Sequence, residues 1–108
     1  MNAQRFTEIV CERTSSIHKT LQSKGAEYAS ESDRLHNFKL AAAIGGTTPE
    51  RALVGMMLKH WVSVLDLVRD LNDGNVCTRA YSDEKIGDSI NYHILLEALL
   101  QERRESKC

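Results

Sequence analysis

Proline is nearly absent from this 108-residue chain, occurring only at Pro49, and aromatic residues make up 6% of it. With one proline and little β-branched alternation, nothing divides the chain into the short strands of a sandwich or barrel. No apolar run approaches the roughly 20 residues of a membrane span, and the start, MNAQRFTEIVCER, is too polar for a secretory signal. Charge of one sign is lacking as well. A net charge of −1 leaves no bulk basic field, so non-specific nucleic-acid binding is not favoured. Cys11, Cys77 and Cys108 are odd in number and widely spaced. Free thiols in a reducing cytoplasm are the simplest reading, and the paired Cys/His spacings that a structural zinc site needs are absent.

What is there is helical periodicity. The spacing predicts a single all-α domain, an antiparallel four-helix bundle, with main helices at 3–23, 34–44, 49–71 and 83–102 and a frayed tail at 103–108. Phe6, Val10, Ile17 and Leu21 carry the first stripe, and Gly25 marks an end or bend. Ser32 or Asp33 caps the second helix, and Gly45-Gly46 stops it. Thr48, Pro49 and Glu50 form the clearest start: an N-cap hydroxyl, a proline at N1 and an acid favoured by the helix dipole. Leu53, Met57, His60, Val64, Leu67 and Leu71 then follow a 4-3-4-3-4 seam. Asn72-Asp73-Gly74-Asn75 ends that helix, a loop is expected as far as Tyr81, and Ser82 is expected to cap the last helix. Val54, Met56, Trp61, Leu96 and Leu99 cannot all face one core, which points to self-association.

The most informative residues are Glu84, Asp88 and Asn91, at i, i+4 and i+7 in EKIGDSINYHILLEALL. Their stripe continues into Leu95 and Ala98 and so points inward. Carboxylates there need a cation or a hydrogen-bonding ligand to offset their desolvation, and oxygen ligands one turn apart suit a hard divalent metal. The bland alternative is a solvated helix face. Gly87, between the two acids, marks a close approach by a helix or a ligand. On the third helix Lys59 can contact a phosphate and Asp66 can join the acids, or both belong to a surface charge network. His60 sits on the seam itself, as a core histidine or as a polar group in a pocket. The segment KGAEYASESDRLHNFK offers Lys24 and Arg34 to grip phosphates, Tyr28 or Phe38 to stack on a base and Asn37 to read a base edge or sugar hydroxyl. Its alternative is a polar inter-helix connection. Gly45-Gly46-Thr47-Thr48 is not a phosphate loop, because it lacks the Gly-Lys-Ser/Thr ending.

KGAEYAS, DRLHNFKLAAAIGG, KHWVSVLDL and EKIGDSINYHILLEAL together resemble small phage-encoded helical proteins of the nucleotide-modification-associated type, distantly similar to the all-α, MazG-type nucleoside triphosphate pyrophosphohydrolases. The resemblance spans residues 21–100. It implies a nucleotide ligand, Mg²⁺ held by carboxylates from neighbouring helices, cleavage to a monophosphate and pyrophosphate, assembly as a homo-oligomer, and a place in the host cytoplasm. It makes Glu84 and Asp88 the catalytic metal pair and Asn91 a nucleotide contact. Lys59, His60, Ser63 and Asp66 stand where the family's Glu-rich motif falls, so only Asp66, with Glu27 from KGAEYAS, is available to extend the metal set. The incomplete motif leaves a second expectation open: a non-catalytic accessory or counter-defence protein that sequesters a nucleotide or binds a host protein.

Overall fold

A computed structural model describes residues 1–28 and 33–106, with side chains at 1–23 and 33–106. These residues form four α-helices, α1 (Ala3–Tyr28), α2 (His36–Gly45), α3 (Pro49–Asp70) and α4 (Arg79–Ser106), with a 3₁₀ turn at Leu71–Asp73 and no strand. None of the helices is long and apolar enough to cross a membrane.

Local chemistry sets the boundaries. The Asp33 carboxylate accepts the Leu35 N–H at 2.9 Å and Lys39 Nζ at 2.6 Å, anchoring the entry to α2. Gly46, at φ 66°, closes α2 in the left-handed conformation that glycine adopts without a Cβ penalty. Thr48 Oγ1 accepts the Arg51 N–H and Pro49 occupies the first turn of α3. α1 continues through Gly25 to Tyr28. α4 begins one turn before Ser82, because Thr78 Oγ1 accepts the Tyr81 N–H, while the Ser82 hydroxyl donates to the Arg79 carbonyl inside the first turn.

α3 and α4 pack antiparallel. Glu50 at the start of α3 meets Arg103 near the end of α4, and further along α3 His60 reaches Asp88 and Tyr92. Leu35, Phe38, Leu53 and Leu99 form the buried core, flanked by Tyr92, Leu95 and Leu96. α2 lies on α3, and α1 lies on α4. The α1 contacts advance in the same direction as α4: Glu12 meets Arg79, Arg13 meets Asp83, and Leu21 shares a cavity with Asn91 and Leu95. α1 therefore runs parallel to α4 and leaves a cleft beside the core.

Candidate functional site

Two cavities meet at one wall of α4. The larger, about 520 Å³, is lined by Leu21 of α1, by Arg34, Asn37 and Phe38 around the start of α2, by Met56 of α3, and by Asp88, Asn91, Tyr92 and Leu95 of α4. The smaller, about 300 Å³, lies between α1 and α4 among Arg13, Ser16, Ile17, Thr20, Asp83, Glu84, Gly87, Asp88 and Asn91. Asp88 and Asn91 line both. One lobe is thus largely apolar and aromatic, and the other carries charged and hydroxyl groups.

Asn91 is the most unusual group in the site. It is 7% exposed, and its Oδ1 has no hydrogen-bond partner among the described residues. A buried acceptor left unpaired costs about 1–3 kcal/mol, so a donor at this position would be strongly favoured.

Asp88 is held on its other side. Its Oδ2 lies 3.4 Å from His60 Nδ1, and the His60 ring stacks on Tyr92 with centroids 4.9 Å apart. His60 thus lies beside Asp88 on the α3 side and lines neither cavity. Burial pushes the Tyr92 phenol above its ordinary range, and the charge of Asp88 adds to the shift.

Arg34 is exposed, donates to the Leu21 carbonyl and so ties the entry of α2 to α1 beside the larger cavity. Asn37 lines the same cavity one turn on. Glu84 lines the smaller one, with its side chain 63% exposed and 3.5 Å from Lys85. Asp66 pairs with Arg69 at 2.9 Å and, like the exposed Lys59, lines neither cavity. The side chains of Lys24, Glu27 and Tyr28 lie outside the described residues.

Sequence reasoning did not single out Arg13, Ser16, Thr20 or Tyr92. Arg13 carried a signal, since it falls on the Phe6–Val10–Ile17–Leu21 stripe, where a charge is out of place. Its guanidinium bonds the Asp83 carbonyl and carboxylate, both at 3.1 Å, and occupies the notch left by Gly87.

Among the described residues no group of three His, Cys, Asp or Glu side chains is placed to hold a metal ion. Asp83, Glu84 and Asp88 are the acids that line the polar lobe with Asn91, and Asp83 is already paired with Arg13 at 3.1 Å, which leaves Glu84 and Asp88. Two carboxylates still suit Mg²⁺, which keeps several waters and takes further oxygens from a substrate's phosphates. No protein-family model, curated protein or solved structure matches the chain.

Proposed function

We propose that the chain binds a nucleotide across the two lobes, as the unit of a MazG-like helical bundle that works as a homo-oligomer in the host cytoplasm. The observation that carries the reading is Asn91: a buried amide with an unpaired acceptor, set in the wall common to an apolar lobe and a charged one. A nucleobase is flat and largely apolar, with hydrogen-bonding edges, and fits beside Phe38, Tyr92 and Leu95, with Asn37 and Asn91 at its edge. The phosphates lie in the polar lobe, where Arg13, Ser16 and Thr20 supply donors. Arg34, beside the larger lobe, and Lys24 are further cations for the phosphates, and Tyr28 a further stacking group, whereas Lys59 lines neither lobe.

Glu84 and Asp88 would hold Mg²⁺ in the polar lobe, with Glu27 as a further ligand; Asp66, paired with Arg69 and lining neither cavity, falls outside the set. When bound, the ion neutralises phosphate charge and polarises a phosphoryl oxygen, the chemistry needed for pyrophosphohydrolysis. The protein's own part is to orient Asp88 through His60, to seat the base away from water, and to hold the phosphates against Arg13.

A second reading, sequestration without turnover, is favoured by one observation: among the described residues no third His, Cys, Asp or Glu joins Glu84 and Asp88 in a metal-holding group, and the side chain facing Asp88 from α3 is His60. Pyrophosphate release from a panel of canonical and modified deoxynucleoside triphosphates, with and without Mg²⁺, separates the two. Mg²⁺-dependent turnover supports hydrolysis. Thermal stabilisation by nucleotide without turnover supports sequestration. Neither effect with any nucleotide removes both.

A further inference from the structure

α3 carries two apolar seams. The inner one, Leu53, Met57, His60, Val64 and Leu67, faces the rest of the chain. The outer one is shifted by a single residue: Val54, Leu58, Trp61, Leu65 and Val68, again at 4-3-4-3 spacing, the periodicity of a helix–helix interface. These five are 37–60% exposed. With Val62 they make a contiguous apolar stripe on the order of 500 Å², at the upper end for a monomer's largest patch.

Whole-chain dimensions agree. Accessible surface is 7884 Å² and the radius of gyration 16.4 Å. A compact monomer of this mass would expose about 6,100 Å², and one of this length would have a radius near ~13 Å. The excess is more than the ~800 Å² that each partner gives up in a standard interface, and it is shared between the outer face of α3 and the exposed start of α1, residues 3–10.

The seam also reads almost the same from either end. Around Trp61–Val62, Leu58 mirrors Leu65, and Val54 mirrors Val68 within one position. A two-fold axis at Trp61 therefore sets apolar residues against apolar residues along an antiparallel pair of α3 helices, as an isologous contact requires. The same pairing sets the first half of α3, where Arg51 and Lys59 outnumber Glu50, opposite the second half, where Asp66 and Asp70 outnumber Arg69. Gly55 lies beside the seam, opposite the Val68 position of a second copy. A Cβ at Gly55 would meet nothing within 4 Å among the described residues, so packing inside the chain gives no reason for a helix-weakening glycine there. A cavity of about 220 Å³ between α3 and α4, lined by Leu58, Trp61 and His93, offers a recess beside the seam.

We infer that the outer face of α3 is a homodimer interface, in which α3 packs antiparallel against α3 of a second copy across a two-fold axis at Trp61. This rests on the homo-oligomer part of the proposed function and gives it a surface, but it stands apart from the ligand reading, since the seam residues line neither of the two cavities that meet at Asn91.

Sedimentation velocity without nucleotide tests it. The expected result is a species of twice the 12.2 kDa chain mass, converted to single chains by Trp61→Glu and by Leu65→Lys with helicity retained. Trp61 is the one tryptophan of the chain, so wild-type emission gives a readout that needs no variant: it shifts to the blue as concentration rises and association buries the indole. A wild type that sediments as single chains at every concentration, with concentration-independent emission, overturns the proposal. So does a dimer that survives both substitutions, which would place the interface elsewhere. Failure of nucleotide binding would leave both readouts unchanged.

Discussion

Arg13 and Gly87 are fitted to one another across α1 and α4: Arg13 Nη1 stands 2.8 Å from where a Cβ on residue 87 would lie. The neighbour is the far end of a flexible side chain, so Gly87→Ala forces the guanidinium aside without driving the helices apart. Alanine in mid-helix gains up to about 1 kcal/mol. Loss of a partly exposed ion pair gives back a similar amount. Urea unfolding of Gly87→Ala should therefore lie within about 1 kcal/mol of wild type, while nucleotide affinity falls as Arg13 leaves the polar lobe. A loss of several kcal/mol would mean that the two backbones need the glycine themselves.

Stability should fall at both extremes of pH. The Asp33 carboxyl is held below its ordinary range by the Lys39 hydrogen bond first and the Leu35 N–H second, and Glu50 is held low chiefly by Arg103. Folded values below the unfolded ones mean stabilisation that is present above the ordinary carboxylate range, about 4, and lost as pH falls through it. Tyr92 is raised, by burial first and by Asp88 second. Its contribution is present below about 10 and lost as pH rises from there towards the folded value. Urea midpoints measured against pH should show both limbs. Asp33→Asn with Glu50→Gln should flatten the acid limb, and Tyr92→Phe the alkaline one.

Leu53 anchors the core. It is fully buried, in a cluster with Leu35, Phe38 and Leu99. Leu53→Ala should cost about 2–5 kcal/mol through lost transfer energy and the cavity left behind, read as a lower urea midpoint. A smaller loss would mean that α2 collapses into the space.

The all-helical character was legible because the evidence for it is local and repeated. Thr48-Pro49-Glu50 gives a complete N-terminal signal for α3 within three residues, and the Leu53–Leu71 seam keeps one period for five turns. The start of α4 was less legible, because Thr78 and Ser82 are both competent caps one turn apart. In the structure Thr78 takes the cap, and the turn it adds carries Arg79, which meets Glu12 of α1, a tie that no window of sequence contains. The site was readable in part for the same reason. An inward stripe could be inferred for Asp88 and Asn91 from their spacing to Leu95, but that spacing could not show that Glu84, one turn earlier, stands mostly in solvent. Nor could it show that Arg13 would reach over Gly87 from seventy-odd residues away.

Asn91 gives the most direct test of the account. Asn91→Leu keeps a similar volume and removes the unpaired buried acceptor, so the free protein should gain about 1–3 kcal/mol in urea unfolding. The same change removes the polar group at the join of the two lobes. Isothermal titration of wild type and Asn91→Leu with nucleoside triphosphates, with and without Mg²⁺, should show saturable binding for wild type and at least a tenfold loss for the variant, equivalent to about 1.4 kcal/mol. A more stable variant that binds as tightly as wild type, or a wild type that binds none of the nucleotides, would contradict the account.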